Sequence, residues 1–385
     1  MIPGVRVHLD HNATTPLRPE ALEVLRELSA RLRGNPSSVH ASGREARARL
    51  DEARARTAAA LGCVEDEVVF TSGGTESIQL ALAGVVRAAG AQRGLVTSVV
   101  EHSAVLAAAD RLERERRPVT RVRVDPTGRV EPGEIVDAAR EDCALVSLQA
   151  ANNELGTLQP VAALGAALRA RGAGRPLLHT DAVQALGRVA LGPLLELADL
   201  ASFSAHKVGG PTGIGVLVRR RGVHLEPLLG TGSQEGGLRP GTEPVAAIAA
   251  AALAIELAVR ERAAYADRVA RLCRLLWQQL HANIPDVALN GPDLDAPRLP
   301  NTLNVSVAGV ESRTFLARLD LEGLEASAGS ACASGSLEPS HVLLALGHDA
   351  ERARGALRLS LGRTSGEEDV HKAVDILRRT ISAAR

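Results

Sequence analysis

This sequence of 385 residues contains very few aromatic residues and very few lysines. Three Phe, one Trp and one Tyr are present, so the core must be built from Leu, Val, Ile and Ala. Of the 45 basic residues only two are lysines, Lys207 and Lys372. Basic and acidic residues balance to a formal net charge of +0, so the composition does not predict a nucleic-acid-binding protein.

The sequence also lacks paired cysteines and long apolar runs. Cys63, Cys143, Cys273 and Cys332 are far apart and form no CxxC motif, which argues against a metal site and a disulfide scaffold. No apolar run reaches about 18 residues without interruption, so we expect no membrane span. The first residues do not resemble a secretory signal. Together these absences predict a cytoplasmic protein.

Short apolar segments alternate with helical patterns over the first two thirds of the chain. This alternation is typical of an α/β fold with a mostly parallel sheet and helices on both faces. Gly215–Val218 follows a glycine turn too closely for a helical crossover, so it could run antiparallel. The other predicted strands are Glu67–Thr71, Leu95–Val99, Val119–Val124, Ala144–Leu148, Leu177–Thr180 and Leu200–Phe203.

The last third of the chain has a different pattern. Pro244–Asn283 is one long Ala-rich helical stretch, in which we expect a break because about 40 residues is long for a globular helix. Shorter strands follow at Thr302–Val307 and Leu357–Leu361. We therefore expect a large α/β domain at residues 16–254 and a small α+β domain made of residues 1–15 and 255–385.

Lys207 ends the motif Ser204-Ala205-His206-Lys207, directly after a predicted strand. Arginine stays protonated, whereas a lysine amine can lose its proton and attack an aldehyde. A lysine kept in such an arginine-rich sequence therefore points to a covalent pyridoxal phosphate (PLP) cofactor. The alternative is that two lysines remain by chance.

Other residues could complete a PLP site, because each also follows a predicted strand or lies on one. Asp181 could pair with the pyridinium nitrogen, or it could cap a helix at Ala182–Leu186. The turn Thr71–Glu76, with Gly74 and Thr75, could bind a phosphate together with Ser204 and His206, or it could be a plain turn.

Three further side chains have a candidate role and an alternative. His102 could stack on the cofactor ring, or it could be a capped or solvated loop residue. Arg358 could bind a substrate carboxylate, or it could be a surface charge on a strand. Cys332 lies in a run of small residues with two glycines, which predicts a loop and a functional thiol, whereas the other cysteines lie in or beside element patterns.

These residues belong to a set of segments that resembles the cysteine desulfurases of the NifS/IscS type, in the class V group of PLP-dependent enzymes with the type I aminotransferase fold. The resemblance extends from end to end of the chain. The matching segments are Leu9–Pro16, Gly34–His40, Thr71–Glu76, Asn152–Gly156, His179–Gln184, Ser202–Lys207, Arg239–Thr242, Ser330–Cys332 and Arg358–Arg363.

The resemblance implies a homodimer that takes sulfur from L-cysteine, releases alanine and carries the sulfur as a persulfide on Cys332. The resemblance further implies that Lys207 holds the cofactor and moves a proton, that Asp181 pairs with the ring nitrogen and that His102 stacks on the ring. It implies that Gln184 and Asn153 contact the ring oxygen, and that the phosphate is bound by Gly74, Thr75, Ser204 and His206 and by Thr242 of the partner subunit. Asn153 and Arg358 are implied to bind the substrate.

Two positions depart from the family pattern: His8 replaces a usual tyrosine, and Gly237 replaces a frequent arginine. The sulfur acceptor stays open between iron–sulfur cluster assembly, tRNA, a cofactor and DNA; we expect an acceptor or scaffold protein, and neither direct nucleic-acid binding nor membrane binding. Two other functions remain possible: a different class V lyase or aminotransferase, including a selenocysteine lyase, and an inactive PLP-binding partner of a sulfur-transfer complex.

Overall fold

The computed structural model describes residues 6–230, 232–329 and 339–383. Apolar, β-branched segments form its strands, as the sequence predicts. The strands are β1 (Val7–His8), β2 (Val68–Thr71), β3 (Gly94–Ser98), β4 (Val119–Val122), β5 (Cys143–Ser147), β6 (Leu177–Asp181), β7 (Leu200–Ser204), β8 (Gly215–Arg219), β9 (Val287–Leu289), β10 (Thr302–Val307), β11 (Leu324–Glu325) and β12 (Ala356–Ser360).

The central sheet has seven strands in the order β2-β8-β7-β6-β5-β3-β4. The pairs from β7 through β6, β5 and β3 to β4 are parallel, whereas β8 runs antiparallel to both of its neighbours, β2 and β7. The predicted α/β fold with a mostly parallel sheet is therefore confirmed, as is the antiparallel direction of Gly215–Arg219. Because only β8 is reversed, β2 points the same way as the parallel strands.

Successive residues of the central strands pack into two different apolar clusters. Leu95 and Leu145 face a cluster with the helices of one side, and Val96 and Val146 face the cluster on the other side. All four side chains are buried. Burial on both faces explains why these strands are continuous apolar runs, with helices on both sides as predicted.

The helices follow the predicted pattern with one correction. The described helices are α1 (Pro19–Arg31), α2 (Ala41–Leu61), α3 (Gly74–Ala88), α4 (Ser103–Arg114), α5 (Pro132–Ala138), α6 (Val161–Ala170), α7 (Gly192–Leu197), α8 (Val245–Asn283), α9 (Ser312–Leu321), α10 (His341–Ala345), α11 (Ala350–Arg354) and α12 (Glu367–Ser382). The predicted break in Pro244–Asn283 is wrong, because α8 is one helix of 39 residues. None of the described helices is long and apolar enough to cross a bilayer.

A third apolar cluster joins the two ends of the described chain. Val7 and Leu9 pack there with the second half of α8, the antiparallel sheet β12-β10-β9, α9 and α12. The first half of α8 packs instead in a cluster of the central sheet, where Ile248 and Ile255 are buried. We propose the division into residues 16–254 on one side and residues 1–15 with 255–385 on the other, with α8 contributing to both cores.

Candidate active site

The candidate site lies at the carboxyl ends of strands β2, β3, β5, β6 and β7, where an α/β sheet presents its ligands. These strands point the same way, so the residues that follow them meet at one edge of the sheet. A cavity of about 210 Å³ lies there. Ten predicted residues line it: Gly74, Thr75, His102, Asn153, Asp181, Gln184, Ser204, His206, Lys207 and Arg358.

Two predicted site residues are not placed at this cavity. Thr242 is exposed and does not line it. Its predicted contact is with a partner subunit, so that role stays a prediction. Cys332 lies outside the described residues.

Lys207 is half-buried, and its amine is held by the chain segment that follows β1. Its Nζ donates to the carbonyl oxygens of Asn12 and Ala13, each at 2.7 Å. Asn12 is anchored in turn by hydrogen bonds from its Nδ2 to Thr302 Oγ1 at 2.9 Å and to the Asn153 carbonyl at 3.1 Å. The amine therefore has a defined position at the cavity wall.

Asp181 ends β6 and is buried, with 6% of its surface exposed. Burial raises the pKa of its carboxyl group, while His102 and Lys207 lower it. Its Oδ1 accepts from the backbone N–H of Val183 at 3.0 Å. The alternative of a cap on a helix at Ala182–Leu186 is wrong, because turns follow β6 there. A cation in the cavity would offset the cost of burying this charge.

The N-terminus of α3 lines the cavity with Gly74 and Thr75. Gly74 begins this helix beside Ser204, and a Cβ atom at position 74 would lie 2.9 Å from Val183 Cγ2 and 3.6 Å from Ser204 Cβ. Burial, followed by the charges of Lys207 and Arg188, lowers the pKa of His206 to about 4. A helix N-terminus with a hydroxyl group and a neutral imidazole can donate hydrogen bonds to an anion.

Arg358 is the largest fully buried side chain of the described residues, with 1% of its surface exposed. The alternative of a surface charge is therefore wrong. Its Nη2 donates to Asp10 Oδ1 at 2.6 Å and its Nη1 donates to the Asn153 carbonyl at 3.3 Å. Its Nε is buried without a hydrogen-bond partner among the described residues. This N–H can still donate to a carboxylate in the cavity.

His102 caps a helix, which was the alternative to a ring-stacking role, and it also lines the cavity. Its Nδ1 accepts from the Ala104 backbone N–H at 3.1 Å, so it caps α4. The half-buried ring also lines the cavity. The cap therefore fixes the position of the ring at the cavity, while its stacking on a cofactor stays a prediction.

Sequence reasoning left some of the lining residues without a role. Asn12 and Ala13 belong to the matching segment Leu9–Pro16, whose position in the site has no local signal because it comes from a distant part of the chain. Gln149 and Ala151 follow β5, and their place after a strand could have indicated them. The remaining ones, Ile78 and Val183, are apolar wall residues.

Next to the cavity, Glu101 is a buried carboxyl group that sequence reasoning also missed. It is 1% exposed and accepts from Ser98 Oγ at 2.7 Å and from the Gln149 backbone N–H at 3.0 Å. Burial raises the pKa of Glu101 to about 8, and the charge of Asp181 adds to this increase.

The two departures from the family pattern lie away from the cavity. His8 Nδ1 is 2.6 Å from Glu325 Oε2, and the His8 ring packs edge-on against His11 with 4.5 Å between ring centres. Gly237 has a φ of 79°, which is a left-handed conformation that glycine adopts readily and that would strain an arginine. Neither residue lines the cavity.

The three described cysteines are poor nucleophiles. Burial raises the pKa of Cys63 and of Cys143 to about 11, and it also raises the pKa of the buried Cys273. Their thiols are therefore protonated at neutral pH. This agrees with the prediction that these positions are structural.

Comparison with known proteins identifies the family. The model of the aminotransferase class-V family matches residues 7–373. A cysteine desulfurase IscS from Dictyoglomus turgidum is 43% identical over 380 residues, which cover 98% of this chain and 95% of the relative. The chain belongs to the class-V aminotransferases, among the cysteine desulfurases of the IscS/NifS type.

Solved structures of this family have the same fold. A NifS-like protein superposes with a TM-score of 0.91 at 36% identity, over 98% of this chain and 100% of the other. SspA in complex with cysteine superposes with a TM-score of 0.80 at 30% identity, over 92% of this chain and 98% of the other. The class-V fold predicted from the sequence is thus confirmed.

Proposed function

We propose that this chain is a PLP-dependent cysteine desulfurase that converts L-cysteine into L-alanine and leaves a persulfide on Cys332. The observation that carries the proposal is one cavity that brings together Lys207 after β7, Asp181 at the end of β6 and Arg358 on β12. Similarity to cysteine desulfurases over nearly the whole chain supports it. The structure of SspA in complex with cysteine supports cysteine as the substrate.

The residues present fit PLP at both of its ends. The helix N-terminus at Gly74 and Thr75, with Ser204 and His206, would hold the phosphate. Asp181, which also lines the cavity, would pair with the ring nitrogen, so that the pyridinium charge offsets the burial of the carboxylate. His102 would cover the ring, while Asn153 and Gln184 would contact its oxygen. When bound, PLP withdraws electrons from the substrate carbon atoms.

The chain's own groups would orient the substrate and move its protons. Arg358 would bind the cysteine carboxylate through its free Nε–H, with Asn153 beside it. Lys207 would bind PLP covalently in the resting enzyme, and its amine would then transfer the Cα proton of cysteine. Asn12 and Ala13 hold this amine at the cavity wall by their carbonyl groups.

The sulfur transfer balances without a further reactant. The Cys332 thiolate forms a bond to the sulfur of cysteine, the Cβ–S bond breaks with its electron pair left on the carbon side, and Cβ takes up a proton to give alanine. Nucleophilic attack requires the thiolate of Cys332. Ser327, which precedes the segment of Cys332, exchanges backbone hydrogen bonds of 3.2 and 2.6 Å with Arg358. This pairing supports a position of Cys332 near the substrate.

The proposal includes a homodimer in which Thr242 reaches the phosphate site of the partner subunit. It also includes a cytoplasmic location and an acceptor or scaffold protein that takes the sulfur. Neither nucleic acid nor a membrane is expected as a direct partner.

The proposal is tested by incubating purified protein with PLP, L-cysteine and a reductant. We expect a visible cofactor band and equal amounts of alanine and sulfide. Without the reductant, mass spectrometry should find one added sulfur on the peptide that contains Cys332. Cys332→Ser should bind PLP and form no persulfide, whereas Cys63→Ser should keep the activity.

Borohydride reduction provides the control for the cofactor. It should fix PLP to the wild-type chain and to Lys372→Ala, but not to Lys207→Ala. Trapping on Lys372, or full desulfuration by Cys332→Ser, would contradict the proposal. Turnover of another amino acid with no sulfur release from cysteine would instead favour a different class V lyase or aminotransferase.

A further inference from the structure

Arg188 is a buried cation behind the wall of the candidate active site. It is 4% exposed, and it forms no salt bridge with a carboxylate of the described part of the chain, because Glu261, which lines a pocket with Arg188, pairs with Arg18 at 2.9 Å. Burial lowers its pKa, and the charge of Arg358 lowers it further. A buried charge of this kind is costly unless polar partners or a nearby anion stabilise it. No local sequence pattern indicates a role for this residue.

The polar partners of Arg188 are Gln184 and Tyr265. Its Nη1 donates to the Gln184 backbone carbonyl at 3.0 Å and to the Gln184 side-chain Oε1. A hydrogen bond with the Tyr265 hydroxyl raises the pKa of Arg188. Tyr265 lies in α8 and donates in turn to the Leu361 carbonyl at 3.4 Å.

These contacts determine which way the Gln184 amide points. With Oε1 against the guanidinium, the amide NH2 group must face away from Arg188, and its Nε2 donates to the Asn12 carbonyl at 3.1 Å. The reversed amide would place its NH2 group against a guanidinium N–H, so that two donors would face each other. Gln184 lines the cavity, and Arg188 does not.

The charges around Arg188 favour an anion on the cavity side. Burial, together with nearby positive charges that include Arg188, lowers the pKa of His206 to about 4 and the pKa of His11 to about 3. Arg358 and Lys207 are further cations at this cavity, against one carboxyl group among the described lining residues, that of Asp181. An anionic oxygen near the Gln184 amide would therefore be stabilised by the amide N–H and by the charge behind it.

We propose that Arg188, held by Tyr265, is a positioning residue that fixes the Gln184 amide as a donor to the ring oxygen of bound PLP. This inference rests on the proposed function, because it requires the cofactor. Arg188 acts through Gln184 and does not touch the cofactor itself. The guanidinium also polarises the amide, which makes Nε2–H a stronger donor.

The test is a pH titration of the visible absorption of the PLP-bound protein. Without Arg188 the ring oxygen is less stabilised, becomes more basic and holds the titrating proton of the bound cofactor more tightly. The midpoint should therefore rise by roughly one pH unit in Arg188→Met, the size expected for one lost charge-assisted contact. Arg188→Lys keeps the charge, so its titration midpoint should lie between those of the wild type and Arg188→Met.

A matched control separates positioning from packing. Arg298 is also partly buried and donates to the backbone carbonyls of Pro292 and Thr302, at 2.6 Å each, away from the cavity. Arg298→Met should leave the midpoint unchanged even if it lowers stability. Tyr265→Phe removes one hydroxyl only, so it should fold and shift the midpoint in the same direction by a smaller amount.

The outcomes distinguish this inference from the proposed function. If the wild-type protein with PLP shows no visible band, the cofactor assignment fails and the inference fails with it. If the wild-type band titrates normally and the midpoints of Tyr265→Phe and of every folded Arg188 variant stay unchanged, only the role of Arg188 is overturned. A shift of the same size in Arg298→Met would also overturn it.

Discussion

At the scale of single residues, burial determines the chemistry of the site. Asp181 and Arg358 are both buried, yet each still faces the cavity. An ion in such a place retains its charge only with a partner, because the interior solvates it poorly. Local sequence indicated these two residue types but not their burial. The alternative functions as a helix cap and a surface charge were therefore plausible until the tertiary structure was known.

The role of Asp181 can be tested by substitution. Asp181→Ala should slow cysteine turnover about 100-fold or more, because it removes a preorganised charge from a largely enclosed site. The steady-state rate of alanine formation with saturating PLP measures the effect. Turnover within about threefold of the wild type, under about 0.7 kcal/mol, would leave Asp181 only a structural role.

Asp199 provides the control for this substitution. It is 8% exposed and pairs with Arg175 at 2.7 and 2.8 Å, and it does not line the cavity. Asp199→Asn should therefore lower stability more than it lowers the turnover rate of the folded protein.

At the scale of elements, the site depends on where helices begin and strands end. The helix α3 begins at Gly74, and its backbone approaches Val183 and Ser204 closely. A glycine–glycine turn before a helix predicts an anion site only weakly when read alone. Here the turn faces the residues that follow β6 and β7, which makes it part of the same cavity.

Gly74→Ala tests whether this close approach matters for the cofactor. The new methyl group would lie 2.9 Å from Val183 Cγ2 and would narrow the proposed phosphate site. We expect PLP to bind about tenfold more weakly, a cost of about 1.4 kcal/mol. Titration of the apoprotein with PLP, followed by absorbance, measures the dissociation constant.

Gly133→Ala is the matched control, because Gly133 lies in the first turn of α5 with no atom within 4 Å of the added Cβ. Its PLP affinity should equal that of the wild type. Equal affinities of both variants would argue against a phosphate at the N-terminus of α3.

At the scale of the whole molecule, one buried carboxyl group should make stability depend on pH. Burial raises the pKa of Glu101 from its ordinary value of 4.5 to about 8. Between these values the unfolded chain is ionised while the folded chain keeps the proton. The folded state therefore binds more protons, and its stability from this group falls as the pH rises from about 4.5 to about 8.

Glu101→Gln removes this titration. The melting temperature of the wild type minus that of Glu101→Gln should decrease between pH 5.5 and pH 8, by on the order of a few degrees. Differential scanning calorimetry of the PLP-bound proteins measures it. Glu134→Gln, at an exposed position, should show a constant difference, and a constant difference for Glu101→Gln would contradict the burial argument.

The sequence by itself determined the fold class, most strands and the residue types of the site. Strands such as Thr302–Val307 could be predicted because a run of apolar and β-branched residues is visible in the local sequence. The candidate site residues could be predicted because, in α/β folds, the residues that bind ligands follow the carboxyl ends of strands. The break predicted in Pro244–Asn283 was wrong because α8 packs against both apolar cores, which makes a long helix stable.

Only the tertiary structure decided which partners these residues have. The Asn12 and Ala13 carbonyls hold Lys207 across nearly 200 residues of sequence, at separations of 195 and 194 positions. Arg188 donates to Gln184 within one turn, but its other partner, Tyr265, comes from the distant helix α8. Such contacts depend on how distant elements pack, and a local sequence pattern does not contain that information.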